Sequence, residues 1–293
     1  MVANANCGDA VAFGAINIFL SVFGSGSLYL HVVLNQRGSR MKRLILLLGI
    51  LLCASFIFSQ VTFSPSWVIN HLGKKGSITP GTLTYRISLF GVIPLGDAVF
   101  ARESSQAYEG RLALKLVTTA KSLKVIEPAL KGEVVFESFI DPLRYLPFRF
   151  AQKIIVKGKK DVDRVAFYDQ NQGVMTIAGE RRQIPFGTHD PLSAIFTIRK
   201  MDLDTVTSIE LNLNTNQKNY VLEGTVDNKE IKIGGKNLRF AIVKAGIRRK
   251  DKNPYHRSKI TMVLLKDQEN IPILIRVFAS GAVIKAKLTN IGE

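Results

Sequence analysis

From residue 81 to the end of the chain, apolar and polar residues alternate in short runs separated by turn residues. Successive side chains of a β-strand point to opposite faces, so a period of two predicts strands with one buried and one solvated face. Connections of hairpin length favour antiparallel pairing. The sequence therefore predicts a mainly β protein, built as a large curved antiparallel sheet, a half-open barrel or a sandwich. The predicted strands are residues 82–89, 97–103, 111–117, 133–140, 148–156, 162–168, 174–177, 208–213, 219–226, 230–233, 238–247, 259–265, 271–279 and 282–288.

Three local predictions concern the turns between these strands. Pro94-Leu95-Gly96 is predicted to form the turn before the second strand, Asp227-Asn228 a tight hairpin, and Gly179-Glu180-Arg181-Arg182 a basic turn. Proline, glycine, aspartate and asparagine are the residues that favour such reversals. Leu112, Leu114 and Leu116 are predicted to share the buried face of one strand.

One segment departs from the period of two. Apolar residues recur at positions 192, 195 and 196, which is helical spacing. Asp190 has the side chain of a good N-cap, and Pro191 suits the first helical position. The sequence predicts one short helix over residues 191–199, packed against the sheet.

The segment before the β-rich region predicts export. Met41-Lys42-Arg43 is followed by an apolar run over residues 44–58, which is the layout of a bacterial signal sequence. Residues 41–59 are predicted to be a signal peptide ending at Ser59, or an anchor in the inner membrane through residues 44–63. The expected location is therefore the periplasm or the cell envelope.

The remaining segment boundaries follow if translation starts at Met41. Residues 1–40 are interrupted by glycine, asparagine and histidine, and are interpreted as an upstream extension from a mis-assigned start. The alternative is an additional membrane hairpin. Residues 60–79 are predicted to be a tether, and residues 80–290 a single β-domain.

Charge and cysteine content restrict the chemistry. The formal net charge is +17, which favours anionic partners such as a membrane surface, lipid or acidic glycan. Export argues against nucleic acid. Cys7 and Cys53 both precede the β-rich region, which excludes disulfides, a cysteine nucleophile and cysteine zinc sites within it. The alternative is a solvated basic surface with no specific partner.

The most basic segment is residues 244–259, which read as a hairpin-like loop. Its cations could contact an anionic surface, with a tyrosine at the interface. The alternative is a polar loop that protects a strand edge. The predicted contact residues are Arg248, Arg249, Lys250, Lys252, Tyr255, Arg257 and Lys259.

No arrangement of residues predicts catalysis, a metal or a cofactor. His189 and Asp190 stand near Ser193, but the sequence has no Gly-x-Ser-x-Gly elbow, and Asp190 is better suited to capping the helix. The pairs Asp161/Asp163 and Asp202/Asp204 supply far fewer oxygens than calcium requires. The protein is therefore expected not to be an enzyme.

The order of motifs resembles a bacterial family, domain of unknown function 3108, over about residues 80–290. The resemblance implies an exported, mostly antiparallel β-fold, and it carries over no functional residue because the family has no established activity. The motifs are Thr84-Tyr85-Arg86-Ile87 with Gly91, Pro94-Leu95-Gly96-Asp97-Ala98, Asp190-Pro191-Leu192-Ser193-Ala194 with Arg199, and Asp267, Pro272-Ile273-Leu274-Ile275, Gly281 and Leu288.

These observations predict a noncatalytic exported protein of the cell envelope. The concave face of its curved sheet is predicted to hold an apolar or amphipathic ligand, or a protein partner whose identity is unknown. The alternative is an envelope scaffold or interaction module that binds acidic glycan or protein through basic loops. A third hypothesis is an envelope hydrolase, which requires Ser193 or an aspartate pair to meet a histidine in a cleft.

Overall fold

The computed structural model describes residues 81–124, 132–158, 160–215, 217–250, 258–266, 269–279 and 281–292. The predicted extension, signal or anchor, and tether lie outside these ranges, as do Lys252, Tyr255 and Arg257 of the predicted basic loop.

The described residues form one large open curved sheet of 16 strands with a single helix. The predicted mainly β fold with one short helix is confirmed. The helix, α1, is Pro191–Lys200. The strands are β1 (Thr82–Leu89), β2 (Ile93–Arg102), β3 (Gln106–Tyr108), β4 (Arg111–Ser122), β5 (Gly132–Ile140), β6 (Pro147–Val156), β7 (Val162–Asp169), β8 (Val174–Ile177), β9 (Glu180–Gln183), β10 (Thr188–His189), β11 (Ser208–Thr215), β12 (Lys218–Ile233), β13 (Lys236–Arg249), β14 (Ser258–Leu265), β15 (Ile271–Ala279) and β16 (Ala282–Gly292).

Strand β1 lies near the middle of the sheet, with the strands that follow it in sequence on one side and the strands from the end of the domain on the other. The order is β10-β11-β12-β13-β14-β15-β16-β1-β2-β4-β5-β6-β7-β8-β9, with β3 paired to β4. The last strand of the described residues, β16, lies antiparallel to the first, β1. Pairing is antiparallel as predicted, except between β10 and β11, which are parallel.

Two predicted turns are wrong because the chain reverses nearby, at positions that include glycine. Pro94-Leu95-Gly96 lies inside β2, and the chain instead turns at Phe90-Gly91, where both φ angles are positive (52° and 79°). Asp227-Asn228 lies inside β12, paired to β13, and Gly234-Gly235 turns with φ of 56° and 81°. Glycine adopts these angles without steric penalty, which makes these positions the better reversals.

Two further predictions need correction. Residues 180–183 form strand β9 rather than a turn, because the reversal occurs at Ala178-Gly179. Leu112 is 59% exposed, while Leu114 and Leu116 are buried as predicted. The beginning of β4 pairs with the short β3 instead of the main sheet, so Leu112 does not reach the common core.

The core lies between the inner face of the sheet and helix α1. Phe196 is 1% exposed and packs edge-on against Tyr145, with the ring centroids 5.4 Å apart. Leu192, Ala194 and Ile198 are also buried. No helix among the described residues has the length and hydropathy needed to span a membrane.

Candidate functional site

The N-terminus of α1 is fixed by the predicted cap. Asp190 Oδ1 accepts hydrogen bonds from the backbone N–H groups of Leu192 (2.7 Å) and Ser193 (3.1 Å). Asp190 Oδ2 accepts one from the hydroxyl of Ser138 on β5, at 2.6 Å. The predicted capping role of Asp190 is confirmed, and the cap also attaches the helix to the sheet.

Ser193 is occupied by the same cap. Its Oγ accepts from the backbone N–H of Asp190 at 2.9 Å and donates to the backbone carbonyl of Asp190 at 3.1 Å. Ser193 and Asp190 are both 0% exposed. Within the described residues, Ser193 makes no hydrogen bond with His189. The three residues of the hydrolase hypothesis are therefore neighbours, but their geometry is that of a helix cap.

Burial shifts the titration of both acidic and basic groups at this end of the helix. It raises the pKa of Asp190, against the hydrogen bonds from Ser138 and the cap, which act to lower it. It lowers the pKa of His189 to about 4. His189 Nδ1 has no hydrogen-bond partner among the described residues. The imidazole is therefore neutral at neutral pH.

The C-terminus of α1 is held by the loop before β15. Asn270 Nδ2 donates to the backbone carbonyls of Arg199 (2.9 Å) and Met201 (3.1 Å). Lys200 pairs with Glu269 at 3.3 Å. Both ends of the helix are therefore fixed, which sets where the backbone of Arg199 lies relative to the sheet.

Arg199 lies on the helix face that carries Leu192 and Ile195, at spacings of seven and four residues. The three side chains line a cavity of about 60 Å³ between the helix and the inner face of the sheet. The sheet contributes an almost entirely apolar wall, which includes Leu83, Tyr85, Ile87, Phe100, Ile275 and Ile284.

The guanidinium of Arg199 is buried without a counter-ion. The residue is 5% exposed, and its side chain makes no ion pair or hydrogen bond with the described residues. Its Cζ lies 5.9 Å from the ring centroid of Phe100 and 6.0 Å from that of Phe196. Burial lowers the pKa of Arg199, while Glu269, which is already paired with Lys200, acts to raise it. Arginine binds carboxylates and phosphates in a bidentate geometry, so this position suits an anion.

A second polar atom faces the same cavity. Thr118 is 5% exposed, and its Oγ1 has no hydrogen-bond partner in the described part of the chain. The Tyr85 hydroxyl, in contrast, donates to the carbonyl of Pro272 at 2.9 Å. The cavity therefore combines apolar walls with one cation and one free hydroxyl.

The structure brings together only part of the predicted basic loop. Arg248 and Lys259, with Gly246 between them, line a depression of about 430 Å³. Arg248 pairs with Glu223 at 3.4 Å. Arg249 follows Arg248 in the strand, so it points to the opposite face. Lys250 follows the end of β13 and donates its backbone N–H to the carbonyl of Asn219.

Sequence reasoning did not single out Arg199 or Thr118 as site residues. The available signals were a charged residue at helical spacing on an apolar helix face and a hydroxyl in the row that continues Leu114 and Leu116. No group of metal-ligating side chains occurs among the residues the structure describes.

The open curved sheet with one helix across its inner face defines a mainly β protein with an internal apolar pocket. The chain belongs to the DUF3108 family of proteins of unknown function, whose family model matches residues 84–289. This confirms the resemblance predicted from the motifs.

Two solved structures are similar to this chain at low identity. The first is a β-barrel-like DUF1849 protein from Brucella abortus, with 15% identity and a TM-score of 0.47, covering 71% of this chain and 95% of that one. The second is a DUF1089 family protein from Pseudomonas aeruginosa, with 11% identity and a TM-score of 0.31, covering 58% of this chain and 85% of that one. No functionally curated protein matches the sequence.

Proposed function

We propose that this protein is a noncatalytic exported protein of the cell envelope that binds an amphipathic ligand with an anionic group against the concave face of its sheet. The observation that carries the proposal is the buried guanidinium of Arg199, which faces an apolar cavity and has no counter-ion among the described residues.

A buried unpaired charge is unfavourable. Removing an ion from water costs several kcal/mol even after the protein relaxes around it. The aromatic rings near Arg199 offset part of this cost. A bound carboxylate or phosphate would offset more of it, because it would supply both an opposite charge and acceptors for the guanidinium N–H groups. The free hydroxyl of Thr118 could donate to the same anion.

The apolar wall would contact the rest of the ligand. Side chains such as Leu83, Ile87 and Ile284 offer no hydrogen bonds, so they favour a hydrocarbon. The cavity of about 60 Å³ holds on the order of four water-sized groups. It therefore accepts the anionic end of a ligand and a few carbons. A longer chain requires Ile195, which is only half-buried, to move aside.

The sequence supports an envelope setting. The basic residues Lys42-Arg43 and the apolar run over residues 44–58 favour export, and the excess of basic residues favours anionic partners. Anionic amphiphiles are abundant ligands of the membrane environment to which such a signal would deliver the protein.

Native mass spectrometry of the full chain, purified from its own membranes in mild detergent, tests the proposal. We expect the wild type to carry an anionic amphiphile at up to one copy per chain. Arg199→Met should lose this adduct, and Arg199→Lys should retain part of it. Arg144→Met is the matched control, because Arg144 is an exposed arginine paired with Asp141. Equal adducts on the wild type and Arg199→Met, or none on the wild type, would contradict the proposal.

A further inference from the structure

Four adjacent strands of the sheet, β13 to β16, contain no aspartate or glutamate. Neighbouring strands lie about 4.8 Å apart, so these four form a continuous surface. None of the four strands contributes an acidic side chain to it. Their Lys and Arg residues are Lys236, Arg239, Lys244, Arg248, Arg249, Lys259, Arg276, Lys285 and Lys287.

The strand register brings several of these cations together on the outer face. Arg276 lies directly opposite Lys285, and Lys287 follows two residues later on the same face of β16. Lys259 lies opposite Phe278. Lys259, Arg276, Lys285 and Lys287 make no ion pair with the described residues. Their charges are therefore available to an external anion.

Lys285 lies opposite Arg276 and two residues from Lys287. The pKa of Lys285 is lowered by burial and by the neighbouring charges of Arg276 and Lys287. An anionic partner that approaches this face would relieve the repulsion.

Exposed apolar side chains lie at the strand ends that adjoin this surface. Phe90 and Val92 in the β1–β2 turn are 39% and 70% exposed, Ile93 at the start of β2 is 49% exposed, and Phe278 on β15 is 42% exposed. Phe278 lies opposite Val283, whose carbonyl accepts the backbone N–H of Phe90 at 2.6 Å. The four side chains are therefore grouped at the end of β15, β16 and β1.

The turn that carries this apolar group has a costly conformation. Phe90 has φ of 52°, in the left-handed region that favours glycine or asparagine. A Cβ atom at Gly91 would lie 2.9 Å from Lys285 Nζ, so the cationic cluster directly adjoins the turn.

We infer that this docking face, formed by Lys259, Arg276, Lys285 and Lys287 together with Phe90, Val92, Ile93 and Phe278, binds the surface of an anionic lipid bilayer. The apolar side chains enter the boundary between headgroups and acyl chains, and the cations contact lipid phosphates. The inference is independent of the ligand proposed for Arg199, because none of these eight side chains lines the inner cavity.

A bilayer fits the combination of features better than other anions do. An acidic glycan would use the cations but would leave the four apolar side chains in water. A bilayer surface matches both, since its phosphates lie beside a region that receives hydrocarbon. Ile87 and Ile284, which line the inner cavity, lie three residues or fewer from this end of their strands. Docking would therefore bring one end of the cavity close to the lipid.

A depth-sensitive fluorescence experiment on the full chain tests whether the docking face contacts the bilayer. The experiment remains informative even if residues 44–58 are themselves in the membrane. Trp67 is the only tryptophan, so Trp67→Phe gives a silent background. Val92→Trp places a reporter in the turn. Leu143→Trp is the matched control, because Leu143 is 86% exposed in the loop after β5, at the opposite strand ends. Both proteins are reconstituted into vesicles of phosphatidylglycerol and phosphatidylcholine, with and without bromine on the acyl chains.

We expect the reporter at position 92 to shift to shorter wavelength and to be quenched by the brominated chains, and the reporter at position 143 to remain unquenched. Adding Arg276→Glu and Lys285→Glu should abolish the quenching at position 92. The control is Lys229→Glu with Lys232→Glu, which makes the same change in net charge at exposed positions of β12. This control should leave the quenching intact. High salt should weaken it as well. Equal responses at positions 92 and 143, no quenching at position 92, or a response only to a soluble acidic polysaccharide would overturn the inference.

Discussion

The hydroxyl of Ser138 on β5 donates a 2.6 Å hydrogen bond to Oδ2 of Asp190 at the start of α1. The two residues are 52 positions apart in the chain, and both are fully buried. This bond fixes the helix on the inner face of the sheet, and the helix in turn places Arg199 in the cavity. Asp190 therefore both caps the helix and attaches it to β5, whereas an exposed cap residue has only the first role.

A double-mutant cycle measures this coupling. Asp190→Ala leaves the Ser138 hydroxyl and the N–H groups of Leu192 and Ser193 without their acceptor, so it should cost more than the about 1 kcal/mol typical of an exposed cap. Ser138→Ala should cost about 1–3 kcal/mol, because it leaves Oδ2 of the buried Asp190 without its donor. In urea unfolding, the two effects should be coupled by about 0.5–3 kcal/mol. Additive effects would show that the bond does not anchor the helix.

Two neighbouring helix residues should differ in their contribution to stability. Phe196 is fully buried against Tyr145, so Phe196→Ala should cost about 3–5 kcal/mol. Ile195 is half-buried beside the cavity, so Ile195→Ala should cost less and should enlarge the cavity. Urea midpoints of the two variants give the comparison. The reverse order would place Ile195, not Phe196, at the centre of the helix packing.

His189 should make stability depend on pH. Burial lowers its pKa from 6.5 to about 4, so the unfolded chain binds a proton in this range that the folded protein does not. The contribution of His189 is fully present above pH 6.5 and should be lost progressively as the pH falls towards 4.

His189→Gln should remove this dependence, reducing the slope of unfolding free energy against pH by up to about 1.4 kcal/mol per unit. Burial raises the pKa of Asp190, which gives a slope of opposite sign in both proteins, so the comparison isolates His189. Parallel curves for the wild type and His189→Gln would mean that the ring titrates normally in the fold.

Two glycines on paired strands should respond differently to substitution by alanine. A Cβ at Gly224 would lie 2.3 Å from the carbonyl oxygen of Lys244 and 2.6 Å from Cα of Ala245. Gly224→Ala should therefore cost about 1–3 kcal/mol through strain between β12 and β13. A Cβ at Gly246 meets nothing within 4 Å, so Gly246→Ala should be nearly neutral. Thermal melts of equal midpoint would show that the strands separate freely at Gly224.

The sequence predicts much of this fold because its main signals are local. Period-two runs such as β1 and β14, and the cap formed by Asp190 and Pro191, need only neighbouring residues to be recognised. Asp227-Asn228 misleads for the same reason. Its local preference for a turn is outweighed by pairing along β13 and by the bond from Asn228 Nδ2 to the distant carbonyl of Leu203.

The candidate site could not be found in this way. Its wall joins residues far apart in the chain, such as Tyr85 and Pro272, which are 187 positions apart and connected by a hydrogen bond. Whether Arg199 is buried depends on which helix face meets the sheet, and helical spacing alone leaves that open. The docking face likewise depends on β16 lying between β15 and β1 in the sheet.

Thermal unfolding of ligand-free wild type and Arg199→Met, with and without decanoate, tests the central claim most directly. Methionine removes an unpaired buried charge and fills similar space, so Arg199→Met should unfold at the same temperature as the wild type or higher. Decanoate should raise the unfolding temperature of the wild type and not that of Arg199→Met, because only the wild type has the cation. Decanol, which has no charge, should not distinguish the two. If Arg199→Met unfolds at a clearly lower temperature and decanoate stabilises both proteins equally, Arg199 is a structural residue and the proposed ligand site is wrong.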